Sequence, residues 1–313
     1  MGNGKLTLVI GNGFDLNLGL KTSYTDFLKS NFFTENIDKH VSDVYDSIFK
    51  YLFDFSVSKQ MNWIDIENLF KSYYQQLYVK NHGKIENLYL EFNFFVQALR
   101  KYLIEQKIEN ISDSEIEDSF AYFVLQQAIG EDPNLTIINF NYTDSVEYIL
   151  INKLGKNEDF IKNNVIHVHG TLKNNNIIVG VDESFETTVE NNFIRKFSNV
   201  KYINTDVDEI LENSNIIGFF GHSFGETDHS YFESFFLKYS DKKNFEYFNE
   251  KGIIIFYYGE IDWYYKDFQL MKLTNKRFKG LMDANKFQKI DVSKNDKSFS
   301  PFNIKFENYF QIR

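Results

Sequence analysis

The chain has 313 residues and a formal charge of -10, so it can bury a large core and has no overall basic field to draw it to phosphate backbones. It contains no Cys, which removes disulfides, thiolate nucleophiles and cysteine-ligated metals and accords with a reducing compartment. Its apolar runs are too short for a membrane span or a secretory leader, so the expected location is the cytoplasm, with no membrane partner and no general nucleic-acid binding.

In chain order, "KLTLVIG" (Lys5 to Gly11) predicts a buried strand, short, aliphatic and closed by Gly. Thr22 or Ser23 then precedes a helical pattern as a cap. Residues 31–130 predict a mostly helical insertion. Trp63, Ile66, Phe70, Tyr73 and Leu77 recur at three- and four-residue steps, as do Ile85, Leu88, Phe92, Phe95, Leu99 and Leu103, and Gly130 reads as a C-terminal stop. Strand character returns at 135–140, 164–170, 176–179, 214–221 and 251–259, mostly as continuous apolar runs separated by helical stretches. The expected fold is α/β, a Rossmann-like parallel sheet built from 1–30 and 131–313 and interrupted by the helical insertion.

Four polar motifs close predicted strands, where open α/β sheets bind ligands. In "IGNGFD", Gly11 and Gly13 allow either a tight structural turn or the approach of a pyrophosphate to backbone N–H groups. Leu16 stands where the dinucleotide fingerprint needs Gly, which disfavours a hydride-transferring dehydrogenase. "NFNYTD" presents Asn139, Asn141, Thr143 and Asp144, as ligand groups or as the cap of the next helix. "HVHG" places His167 and His169 two apart on a strand, a spacing open to a packed pair, a metal pair or a proton-transferring His169. "GHSFGETD" offers Gly221, His222 and Ser223 at a strand end, with Asp228 as a ligand group or helix cap. Trp63 and Glu67 lie one turn apart, and core packing and a solvated face are preferred there over a site role.

Taken in order, these motifs resemble the AbiH family of bacterial phage abortive-infection proteins, over about residues 6–260. A more distant similarity is to sirtuins and SIR2-like defence NADases. Gly11, Gly13, Gly19 and Leu20 share the spacing of their glycine motif, Asn141 matches the motif asparagine, His169 the catalytic histidine, and Gly221 with Ser223 the late Gly-x-Ser turn. That resemblance implies an antiphage NAD+ glycohydrolase. His169 would take a proton and Asn141 would position water or ribose, while Asp144 or Asp15 would stabilise positive charge. Gly11, Asn12, Gly13, Phe14, Asp15, Gly19, Thr143, Gly221, His222, Ser223 and Asp228 would bind the nucleotide. NAD is then the substrate and no metal is expected. A phage-derived trigger and self-association are further partners it admits.

Three features depart from the sirtuin pattern. Asp15 replaces a small Ser near the supposed phosphates, Thr143 holds the motif aspartate's place with Asp144 after it, and no four-cysteine zinc module can form. The alternatives are a non-catalytic nucleotide sensor and, third, a metal-dependent hydrolase or nuclease using His167, His169 and His222.

Overall fold

The computed structural model describes residues 5–37, 47–59, 66–80, 88–182, 185–199, 201–202, 205–241 and 250–304. Among these, six strands form one parallel sheet: β1 (Leu6–Ile10), β2 (Thr136–Asn139), β3 (Val165–His167), β4 (Ile216–Phe220), β5 (Gly252–Tyr257) and β6 (Lys286–Asp291), in the order β3-β2-β1-β4-β5-β6. The order reverses between β1 and β4, which opens a crevice beyond their carboxyl ends. The α/β parallel architecture is as expected. "NIIV" is not a strand: Ile177, Ile178 and Val179 are buried but pair with no strand among the described residues, and an isolated bridge, Val181 to Arg195, follows them. Conversely, β6 was not anticipated. It is an edge strand, "KFQKID", with Gln288 and Lys289 exposed, and it lacks an apolar run.

Every residue of β1 and β4 is buried, because the sheet is covered on both faces. Leu6, Leu8 and Ile10 pack with α8 (Phe120–Glu131) and α9 (Ser145–Asn152). Val9, Ile217 and Phe219 pack on the other face with α11 (Val207–Glu212), α12 (Glu233–Ser240), α13 (Gly259–Leu273) and α14 (Phe278–Ala284). This is the period-two alternation of a strand with both faces dry.

The preceding helices are α1 (Gly13–Asn17), α2 (Tyr24–Leu28), α3 (Asn31–Thr34), α4 (Ile48–Lys59), α5 (Ile66–Lys80), α6 (Leu88–Ile104) and α7 (Asp113–Asp118); α10 spans Glu158–Asn164. Ser23 caps α2, accepting from the Asp26 N–H at 3.0 Å. Helices α2 to α6 have their own core. Phe95 is fully buried there, edge-on to Phe27 (5.5 Å) and Phe70 (4.9 Å), and burying such rings contributes about 1.5–3 kcal/mol each. Trp63 and Ile85 lie outside the described residues.

Packing crosses the expected segment boundaries in two places. Val179, Val181, Phe185 and Ile194 are buried among the helices, whereas α8 packs on β1. Gly130 does not stop α8, which runs to Glu131 and ends on Asp132 at φ -133°. Among the described residues, no helix is long and apolar enough to cross a membrane.

Candidate active site

The tips of β1, β2 and β4 and the chain just past β3 converge on one cavity of about 150 Å³. Its walls include Gly11, Asn12 and Asp15, Asn141 and Thr143, His169, and Gly221, His222, Ser223 and Asp228. The helical layer adds Glu67 from α5, and Lys196 comes from the 3-10 turn at Lys196–Ser198. Motifs far apart in sequence thus meet at the crevice that the strand order creates.

Local backbone geometry explains the glycines. The Gly11 N–H donates to the Phe220 carbonyl at 3.0 Å and the Gly13 N–H to the Gly221 carbonyl at 2.9 Å. A Cβ on Gly13 would lie 2.6 Å from the Gly221 Cα, and Gly221 itself sits at φ +70°, a conformation that suits only Gly without strain. The glycine turn therefore approaches the "GHS" loop. These two amides are already used, so the expected amide–pyrophosphate contact is not open to them. Phe14 is fully buried and edge-on to Phe220 at 5.9 Å, in the core rather than the cavity. Gly13 lines an adjoining cavity rather than this one, and Gly19 lines neither. Gly19 turns the chain at φ +93°.

Asp15 is buried. Its carboxylate accepts from the Thr143 hydroxyl at 2.6 Å and the Ser145 hydroxyl at 2.5 Å. Burial raises its pKa to about 6, against the opposing effect of Ser145, Thr143 and Asn141. The Asn141 amide nitrogen is buried without a hydrogen bond of ordinary geometry, although it is near enough to Asp15 to ease that ionisation. Thr22 donates to the Asn12 side-chain oxygen at 2.6 Å and fixes that wall. Asp144 is exposed at the start of α9, makes no side-chain cap bond and does not line the cavity. Thr143 is spent on Asp15 rather than on capping.

The two histidines of "HVHG" have different surroundings. The strand ends at His167, whose Nε2 is 2.5 Å from Glu147. His169 follows beyond the ladder, just before Gly170 at φ +74°, and reaches the cavity wall. The expected shared strand face is lost because β3 is too short to carry both. His169 Nε2 is buried and 3.3 Å from Asp228 Oδ1, close enough for an ion pair but not aligned as a hydrogen bond. Phe140 and Tyr231 pack around its ring at 5.2 and 5.8 Å.

Asp228 faces His222 as well, Oδ2 to Nε2 at 3.6 Å. The Phe224 N–H donates to His222 Nδ1 at 3.0 Å, so in the neutral ring the proton sits on Nε2, toward Asp228. Burial keeps the His222 pKa below its ordinary value despite Asp228. Phe224, at φ +56° and fully buried, holds this turn in a conformation rare for a bulky residue. Asp228, a candidate helix cap by sequence, turns its carboxylate into the cavity among charged partners. Burial would raise its pKa, yet Lys196 and the two histidines outweigh that and hold the carboxyl well below the usual range.

Lys196 gave no sequence signal. Its side chain is 1% exposed, and its ammonium lies 2.8 Å from both Glu67 Oε2 and Asp228 Oδ1. Glu67, expected on a solvated face, is buried here and accepts from the Thr227 hydroxyl at 2.5 Å. Among the described residues no group of three or more His, Asp or Glu side chains forms a metal-holding cluster, and His167 is turned away to Glu147.

A second cavity, of about 530 Å³, adjoins the first. Gly221 and Ser223 line both, and Phe256, Tyr257, Tyr258 and Tyr265 give the second an aromatic wall beyond β4 and β5.

The parallel sheet, its order and a cavity at the strand reversal define a Rossmann-like α/β protein. The family that matches is AbiH, bacteriophage abortive infection, over residues 7–249. The chain belongs to the AbiH family, and abortive infection is its setting. No curated protein matches it.

Proposed function

We propose that this abortive-infection protein binds NAD or a related nucleotide and cleaves its nicotinamide–ribose bond. The observation that carries the reading is His169. Its imidazole is buried, its Nε2 has no aligned partner, and it borders a cavity shared with Asn141 and with the carboxylates of Asp15, Glu67 and Asp228. Glycosidic cleavage places positive charge on the ribose, and buried carboxylates favour that charge in a low dielectric. The spacing shared with sirtuins supports the same reading.

In the reaction, the bond from ribose C1′ to nicotinamide nitrogen breaks and its electron pair leaves with nicotinamide, which departs neutral. Water adds to C1′, His169 accepts its proton, and the products are nicotinamide and ADP-ribose. Asn141 orients the water or the ribose hydroxyls. Proton acceptance of this kind is typically worth about 10²–10⁴-fold. Asp15 takes the electrostatic role rather than the exposed Asp144. A whole dinucleotide exceeds the smaller cavity, so the nicotinamide riboside half occupies the His169 side. The adenosine half lies against the aromatic wall of the larger cavity, with Ser223 between them.

The test is incubation of purified protein with NAD and mass-spectrometric identification of products, together with NAD content in phage-infected cells. Nicotinamide and ADP-ribose are expected from wild type and not from His169→Ala. Intact NAD in both settings, with saturable binding, would leave the sensor reading instead.

A further inference from the structure

The buried charges behind Asp228 carry an inference about how the site is assembled. One ammonium, Lys196, lies between two carboxylates at 2.8 Å. Asp228 shares its Oδ1 between Lys196 and His169 and turns Oδ2 toward His222. Thr227, the residue before Asp228, donates to Glu67, so the two carboxylates are also joined through the chain. Lys196 is delivered by a short stretch of fixed backbone. The Lys196 N–H donates to the Val181 carbonyl at 2.9 Å, the Val181 N–H to the Ile194 carbonyl at 2.8 Å, and the Arg195 guanidinium to the Phe185 carbonyl. Val181, Phe185 and Ile194 belong to the helical core, as does Phe70, one turn beyond Glu67 on α5. The cation and its second carboxylate therefore both come from the helical layer.

We infer that Lys196 and Glu67 are positioning residues: Lys196 holds the Asp228 carboxylate ionised and in reach of His169 and His222, and Glu67 fixes the Lys196 ammonium from α5, which makes α5 part of the site. Burying a charge without a partner is costly, and removing one member of a buried set leaves the others uncompensated. The ionisable groups facing Asp228 are Lys196 from the 196–198 turn, Glu67 from α5, His169 after β3, His222 after β4, Tyr142 after β2 and Tyr231 from its own turn. Lys196 is the cation among them at every ordinary pH; the histidines become cations only on protonation.

The charge count gives the two variants opposite signatures. Lys196→Met leaves Glu67 and Asp228 facing each other, so folding is helped when a carboxylate takes up a proton, and the thermal midpoint should fall further at pH 8 than at pH 5. Glu67→Gln leaves Lys196 and Asp228 balanced, so a proton added to His222 makes the set positive and is penalised, and the midpoint should fall further at pH 5 than at pH 8. The expected difference between the two pH values is about 5 °C in each case, and Lys196→Arg should restore most of the Lys196→Met loss at pH 8. A packing role alone predicts equal losses at both pH values; that result, or the same sign in both variants, would overturn the inference. If Lys196→Met folds at neither pH, the sign in Glu67→Gln decides.

The activity arm rests on the reading proposed above. There Lys196→Met should lower kcat for NAD at least tenfold, with Lys196→Arg recovering it. Absence of turnover in wild type would count against that reading alone, because the thermal comparison needs no substrate.

Discussion

The Asp15 carboxylate and the Ser145 hydroxyl lie 2.5 Å apart although 130 residues separate them in sequence. This contact ties α1 to the first residue of α9, and it places a buried carboxyl beside the cavity. Burial raises the Asp15 pKa to about 6, against roughly 3.9 in an unfolded chain. The folded state therefore binds the proton more tightly. Its contribution is fully present below the unfolded value and is lost as the pH rises through about 6, on the order of 3 kcal/mol in all. Asp15→Asn removes this dependence: urea unfolding should show its stability rising relative to wild type between pH 4 and pH 7, and a constant difference would contradict the assignment.

Gly221→Ala should destabilise by about 2–5 kcal/mol, combining left-handed backbone strain with overpacking. Its added methyl would come 2.4 Å from the Phe14 nitrogen. Gly130→Ala is the counterpart: nothing lies within 4 Å of an added Cβ there, inside α8. It should stabilise by about 0.5–1 kcal/mol. Thermal denaturation of the two variants checks both.

His167 and His169 should separate by phenotype. His167→Gln loses the contact with Glu147, at a cost of about 1–2 kcal/mol, and retains NAD cleavage. His169→Gln also costs some stability, because its ring packs on Phe140 and Tyr231, but it alone loses cleavage. Unfolding curves and product analysis on the same preparations make the comparison, and equal loss of cleavage in both would reject it.

Ser223 lines both cavities, so Ser223→Phe should block a ligand that spans them. The expected effect is a rise of at least tenfold in KM for NAD with little change for nicotinamide mononucleotide, which needs only the His169 side. Parallel steady-state kinetics on the two substrates read this directly.

Much of the sheet was legible because β1, β2, β4 and β5 are almost wholly buried and so appear as largely apolar runs. The same rule misled at "NIIV", where Ile177, Ile178 and Val179 are buried without strand pairing and Val179 packs into the helical core. It passed over β6, whose edge position allows polar side chains. The motifs at the strand tips located the cavity, since strand ends and ligand crevices coincide in such sheets. Lys196 and Glu67 stayed hidden for a different reason. Each is an ordinary charge in a polar stretch, and only the docking of the helical layer makes them a buried pair. Asp144 was the converse, conspicuous in its motif and exposed in the fold.

The backbone bonds from Gly11 and Gly13 to the loop after β4 have a mechanical consequence. They cast the floor of the chamber in one piece with the sheet, so that half keeps its shape whatever happens above it. The ceiling rests on a separately cored slab, joined at its inner edge through the Lys196 ammonium and the Thr227–Glu67 hydrogen bond.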